Sequence, residues 1–126
     1  MEKILKERKK QRNSIIKDVR TFAKKVKRKL GKVTIVLYGS YVRGDFNLWS
    51  DVDILIISEA FNNLRFLDRY ELFKNEVKPG FETKPYTPEE FKHIINKIGW
   101  KEALKDKIIL IDDYKPVSYT HLRANR

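Results

Sequence analysis

The sequence predicts an α+β domain. Three observations carry this expectation: four short segments read as strands, the segments between them repeat apolar residues at helical spacing, and Gly, Pro or capping residues mark each change. A length of 126 residues fits one domain with a single core.

The first helix is read from Ile15, Ile16, Val19, Phe22, Ala23, Val26 and Leu30, which share one face through i, i+3, i+4 and i+7 spacing. Gly31 suits a left-handed cap behind it, and Lys27, Arg28 and Lys29 fall in its last turn, where the helix dipole favours cations. Residues 6–13 hold no apolar side chain, so residues 1–14 are expected as a basic helical extension that projects into solvent or frays.

The net charge of +11 belongs to this part of the chain. Residues 1–32 hold 14 Lys and Arg against 3 Asp and Glu, whereas residues 33–126 hold 14 of each. The basic helix reads either as a solvated face or as a contact for RNA, DNA or an acidic partner through phosphate neutralisation. Without a recognisable nucleic-acid motif or aromatics interleaved with its cations, the solvated face is the preferred reading.

Residues 33–38 are β-branched and apolar without helical period and read as a buried strand. Gly39 and Ser40 end it, a turn or single helical turn leads to Gly44, and residues 51–57 form the next strand. Side chains alternate along a strand, which places Asp51 and Asp53 on one face and Val52, Ile54 and Ile56 on the other.

Residues 61–77 are expected as a helix with Phe66, Tyr70, Phe73 and Val77 on one stripe. Pro79 and Gly80 break it, and residues 81–86 resume as a strand near an edge, because Pro85 has no N–H for a ladder. Glu82 shares a face with Lys84 and Tyr86. Thr87, Pro88 and Glu90 then make a capping box, and Phe91, Ile94, Ile95 and Ile98 form one face of a helix that stops at Gly99. A short turn over 100–105 and a strand over 108–111 complete the domain, assigned to residues 15–113. Residues 114–126 show neither period and are set aside as a C-terminal tail partly of expression-vector origin.

Composition excludes several chemistries. With no cysteine there are no disulfides, thiolate zinc sites or cysteine nucleophiles, and His93 and His121 have no suitable partners in sequence and read as surface residues. A metal must therefore be held by oxygen, which favours magnesium or manganese. The longest uninterrupted apolar run, residues 54–57, is too short to span a bilayer, and no signal peptide is visible. A cytoplasmic protein with no membrane partner is expected.

The chemistry concentrates between Gly39 and Asp53. Two carboxylates two residues apart on a strand repel each other, a cost that a divalent cation offsets. Gly39 lets the backbone approach a phosphate, the Ser40 hydroxyl and nearby N–H groups can donate to it, and Arg43 adds a charge-assisted contact. Nucleotidyl transfer uses two such ions about 4 Å apart, one bridging the phosphates and one activating the attacking hydroxyl. Trp49 and Tyr41 either stack on a base or pack, and Arg65 and Arg69 either reach the triphosphate or line a helix face.

In its pattern Gly-Ser-x10-Asp-x-Asp, met by Gly39, Ser40, Asp51 and Asp53 with Arg43-Gly44 between them, the chain resembles the minimal nucleotidyltransferases of the DNA polymerase beta-like superfamily, including antitoxins of the MntA type. The likeness covers residues 15 to 113. It implies a small mixed sheet with helices packed mainly on one side, and a third carboxylate on a later strand, matched by Glu82. Many relatives carry Asp there, and Glu82 also reads as a surface residue paired with Lys84 or Lys78.

The resemblance implies a magnesium-dependent transfer of NMP, with AMP expected, from an NTP, with ATP expected, to a hydroxyl acceptor. Asp51 and Asp53 would hold both ions (Mg2+, with Mn2+ a substitute), Glu82 the catalytic one, and Gly39, Ser40 and Arg43 the nucleotide phosphates. A partner protein of the helical HEPN type, modified on a tyrosine, would be the acceptor. The competing reading is a catalytically weak, antitoxin-like subunit that neutralises a HEPN partner by complex formation.

Overall fold

A computed structural model describes residues 2–47 and 49–115. The helix α1 runs unbroken over Glu2–Leu30 and buries Val19, Phe22, Ala23 and Val26, the centre of the stripe expected from their spacing. Gly31 closes it in the left-handed region, its N–H donating to the Lys27 carbonyl. Lys27 in turn pairs with Asp113, whose carboxylate also accepts the Val33 N–H, so the helix end is tied to the far edge of the sheet.

Four strands form one sheet in the order β3-β2-β1-β4: β1 Thr34–Tyr38, β2 Val52–Ile57, β3 Phe81–Tyr86 and β4 Lys107–Asp112. β1 pairs antiparallel with β2 and β4, and β2 pairs parallel with β3, which makes the sheet mixed. The Pro85 argument holds, since β3 is an edge strand. Burial explains the apolar runs of β1 and β2. Val52, Ile54 and Ile56 pack towards α1 with Ile35 and Leu37, while Leu55 and Ile57 pack with Val36 on the other face against Phe91, Ile95 and Leu104.

The long α1 and the short α2 (Ser40–Arg43) lie with the first core. The second core is closed by α4 (Pro88–Ile94) and α5 (Ile98–Ala103), where Trp100 meets Tyr38, Tyr86 and Phe91 at 5.7, 5.8 and 6.3 Å between ring centroids. The Thr87 capping box forms as expected: Thr87 accepts the Glu90 N–H and Glu90 accepts the Thr87 N–H.

Three expectations change. The helix over 61–77 is not continuous: it is a chain of single 3-10 turns around one short α-helix, α3 (Phe66–Arg69). Phe61 and Phe73 are buried in the α1 core, but Leu67 is 80% exposed, so the apolar spacing does not describe one face. The helix begun by Thr87 ends at Ile94, Gly99 lies inside α5, and Ile98 is 81% exposed. Residues 6–13 are helical and do not fray, because Arg8 and Arg12 reach back to the domain.

Of the segment set aside as a tail, residues 116–126 and with them His121 lie outside the described residues. Tyr114 packs against the second core, its hydroxyl accepting the Glu59 N–H and donating to the Lys32 carbonyl. Among the described residues no helix is long and apolar enough to cross a membrane.

The edge strand β3 is secured by Arg69. This buried guanidinium donates to both carboxylate oxygens of Glu90 at 2.6 and 2.8 Å, to the Pro85 carbonyl at 3.0 Å and to the Leu64 carbonyl at 3.2 Å. Its role is structural, and the reading in which it reaches a triphosphate is set aside. The same pair holds the Glu90 carboxyl down at about 2, chiefly through the Arg69 hydrogen bonds. Because the folded value is depressed from 4.5, this stabilisation is complete above the ordinary value and is lost as pH falls from there through about 2. Arg69→Met should lower stability by about 2 kcal/mol at neutral pH by leaving the Pro85 carbonyl and Glu90 without their donor. In urea melts between these pH values the variant should also lose part of the wild-type acid sensitivity. An unchanged pH profile would contradict this account.

Candidate active site

β1 delivers the chain to Gly39, whose backbone (φ 86°, ψ −154°) lies in a region that side chains other than hydrogen rarely permit. The reason for glycine is spatial as well. A Cβ here would stand 2.2 Å from Asp53 Oδ2, so the bare Cα is what admits the carboxylate. Gly39 caps α2, its carbonyl accepting the N–H groups of Val42 and Arg43, both at 3.1 Å. Ahead of these two, the N–H groups of Ser40 and Tyr41 have no carbonyl one turn earlier within the helix, and Ser40 lines the same cleft as Asp53.

The other end of α2 is held from α1. Arg12 donates to the Tyr41 and Val42 carbonyls at 2.8 and 3.2 Å, and Arg8 donates to the Phe46 carbonyl at 2.6 Å. Cations at a helix C-terminus satisfy its unpaired carbonyls and its dipole. Tyr41 is buried and stacked on Phe46 at 4.4 Å, so of its two readings packing is correct.

Strand register assembles the acids. Tyr38 pairs with Asp53 across β1 and β2, and Asp53 pairs with Glu82 across β2 and β3, placing all three side chains in one row on one face. Asp51 precedes β2 and is exposed. A cleft of about 340 Å³ is lined by Tyr38, Gly39, Ser40, Arg43, Ser50, Asp51, Asp53 and Ala103. It unites Gly39, Ser40, Arg43, Asp51 and Asp53, with Glu82 beside it and outside the lining. Tyr38, Ser50 and Ala103 were not foreseen; Tyr38, immediately ahead of Gly39 on β1, was legible in principle from strand alternation.

The electrostatics are those of crowded carboxylates. Burial, then the charges of Glu82 and Asp51, raise the Asp53 carboxyl above its ordinary value, with Lys84 and Arg43 partly opposing. The Tyr38 hydroxyl is pushed above the usual phenol range by burial, then by the charges of Asp53 and Glu82. Glu82 is lowered by its hydrogen bond to Lys84, which donates at 2.9 Å. Of the two lysines expected to compete for Glu82, Lys84 takes it, and Lys78 pairs with Asp18.

The donor set suits an oxygen-ligated cation: three carboxylates, one partly buried and disfavoured as an anion, beside a glycine that makes room for it. Among the described residues, however, no three His, Cys, Asp or Glu side chains stand close enough together to hold a metal, and Glu82 is engaged by Lys84. Arg43 pairs with Asp45 at 3.2 Å at the mouth of the cleft. Trp49 is 89% exposed, Arg65 pairs with Asp68, and His93 is an exposed residue beside Glu89.

Gly39→Ala should fold with a stability loss of about 1–3 kcal/mol, since alanine strains this backbone and drives the Asp53 carboxylate from its seat. Thermal melts and the carboxylate resonance of Asp53 by NMR check it. An unmoved Asp53 resonance would refute the contact.

Comparison with known proteins agrees with this fold. A stretch of 58 residues is 38% identical to a Methanocaldococcus jannaschii protein named for an inferred protein adenylyltransferase activity, covering 44% of this chain and 39% of that relative. The match thus spans about two fifths of that relative's length. A Sulfolobus solfataricus protein described as an inferred nucleotidyltransferase superposes with a TM-score of 0.63 at 17% identity, over 81% of this chain and 84% of that one. A toxin–antitoxin structure with AMP-PNP superposes with a TM-score of 0.50 at 22% identity, over 85% and 91%. At these identities the two structures speak for the fold alone. Residues 19–116 match the family model described as a nucleotidyltransferase domain, and with that share of its length the chain belongs to the nucleotidyltransferase domain family.

Proposed function

We propose that this chain is a divalent-cation-dependent nucleotidyltransferase that moves NMP, with AMP the expected group, from an NTP to a hydroxyl acceptor. The observation that carries the reading is Asp53 seated against Gly39, with the start of α2 opening into the same cleft. Phosphate donors and carboxylates thereby face one volume.

Asp51 and Asp53 would hold the ions, magnesium or manganese, and Glu82 would join them after exchanging Lys84 for metal. When bound, such ions neutralise the phosphates and lower the pKa of the attacking hydroxyl. The acceptor oxygen bonds to the α-phosphorus, the bond from that phosphorus to the bridging oxygen breaks, and pyrophosphate leaves. The acceptor's proton passes to a carboxylate of the cluster. Ser40 and the first-turn N–H groups of α2 donate to the departing phosphates, and Arg43 leaves Asp45 to add its charge.

A tyrosine of a HEPN-type protein partner is the acceptor we favour. The resemblance in motif supports it, as do the adenylyltransferase name of the Methanocaldococcus relative and the fold shared with a toxin–antitoxin structure holding AMP-PNP. With labelled ATP, magnesium and the partner encoded alongside, the purified protein should label that partner. Asp53→Asn should reduce labelling by about 10³-fold, the loss expected when metal-dependent charge stabilisation is removed. Equal labelling by the variant would sink the reading.

The Glu82–Lys84 pair favours a second reading, an antitoxin-like subunit whose cleft binds metal weakly and which acts by covering its partner. In that case Asp53→Asn would neutralise the partner as well as the wild type does. The pair also makes a direct prediction. Lys84→Met should bind Mn2+ several-fold more tightly by electron paramagnetic resonance, since no cation is displaced from Glu82. Weaker binding by the variant would show that Lys84 supports the site.

A further inference from the structure

A second groove lies outside the cleft, between the early turns of α1 and the loop over residues 45–50. It has a volume of about 460 Å³ and is lined by Arg8, Gln11, Phe46, Asn47 and Trp49. A smaller hollow of about 320 Å³, lined by Glu7, Lys10, Gln11, Ser14 and Ile15, shares Gln11 with it along α1. Trp49 lines this groove with 89% of its surface exposed. Asn47 Oδ1 accepts the Trp49 N–H at 2.8 Å, and Ser50 Oγ accepts the Asn47 N–H at 2.9 Å. The Trp49 backbone is thus tied to Asn47. Arg8 is equally fixed, with its guanidinium over the Phe46 ring at 5.4 Å and its hydrogen bond to the Phe46 carbonyl.

We propose that this groove binds single-stranded nucleic acid, with Trp49 as the stacking platform for a base and the α1 cations along the phosphates. An exposed aromatic face beside a run of positive charge is the arrangement that such strands recognise, because every base offers a π-face and every step a phosphate. Charge complementarity selects the occupant: the excess of positive charge lies wholly in residues 1–32, which supply one wall, while the remainder of the chain is balanced. A protein partner would need to bury Trp49 with continuous apolar surface, and here Arg8 and Gln11 interrupt it. Trp49 directly precedes Ser50 and Asp51, so a bound strand lies at the mouth of the cleft. The inference does not rest on nucleotidyl transfer.

Binding of fluorescein-labelled single-stranded RNA and DNA oligomers of about twelve nucleotides to the full chain tests it, with a duplex and polyglutamate as comparison polyanions. We expect the single strands to bind more tightly than either comparison, to quench tryptophan fluorescence, and to weaken steeply between about 50 and 200 mM salt. Trp49→Ala should reduce affinity about tenfold and remove the quenching, leaving only Trp100. Lys3→Glu/Lys10→Glu, a pair spaced i, i+7 on exposed α1 positions, should flatten the salt dependence by about 0.7 in log–log slope per lost contact while the Trp49 quenching persists. Both variants should melt like the wild type. Absence of binding, equal affinity for polyglutamate or duplex, or wild-type affinity in Trp49→Ala would overturn the proposal. Preference for polyglutamate would assign the groove to an acidic protein.

Discussion

The contact on which the site depends is the Asp53 carboxylate lying against the bare Cα of Gly39. It requires three things at once: a strand ending in glycine, a backbone at that glycine which other residues rarely adopt, and a neighbouring strand in the register that sets Asp53 opposite Tyr38. Register is fixed elsewhere, by Val52, Ile54 and Ile56 entering the α1 core and Leu55 and Ile57 the other. A slip of one residue would bring Asp53 into the α1 core and expose isoleucine in its place, so core packing positions the carboxylate. The apolar alternation of β2 and the acidity of its first turn are one constraint.

The remaining parts of the site are held by arginines that do not touch it. From α1, Arg12 crosses to the carbonyls at the end of α2 and Arg8 to the Phe46 carbonyl just beyond it, which holds that short helix in place. A four-residue helix has little stability of its own, and such external caps supply what its length cannot. At the other side, β3 has only β2 for a neighbour, and its Pro85 contributes no N–H. Arg69 compensates by binding the Pro85 carbonyl and Glu90 together, which joins β3 to the start of α4 and keeps Glu82 in the row with Asp53.

Much of this was legible in the chain, for physical reasons. The spacing from Gly39 to Asp53 encodes a glycine and two acids around one cleft, although Asp51 precedes β2 and the group that Gly39 admits is the Asp53 carboxylate; Pro85 encodes an edge, and Thr87 with Glu90 encodes a helix start, because each acts through its nearest neighbours. The arginine clamps were not legible, since their partners are backbone carbonyls up to 38 residues away, and a carbonyl leaves no trace in residue type. The region over 61–77 misled because Phe61 and Phe73 share a core without sharing a helix. Tyr41 could not be distinguished from a base-stacking residue until its ring was found on Phe46. Glu82 and Lys84 were placed on one face by alternation, but which of two lysines would engage Glu82 was decided only by distance.

Charge is distributed so that the acids and the basic helix act separately. In the row of Tyr38, Asp53 and Glu82, the two carboxylates make ionisation of Tyr38 harder and Glu82 makes that of Asp53 harder, and Lys84 supplies the compensating charge when no metal does. A nucleotide triphosphate brings further negative charge and cannot replace Lys84 in that role. Under the proposed function, a strand of acids beside phosphate would become favourable only with cations bound alongside the nucleotide, and these would release Lys84 from Glu82. The positive charge of α1 does not substitute for this, because at the cleft it is spent on the carbonyls of α2 and elsewhere it is exposed to water and screened beyond about 10 Å. Cation and nucleotide are thus expected to bind together, and the neutral domain and its basic helix to serve different ligands.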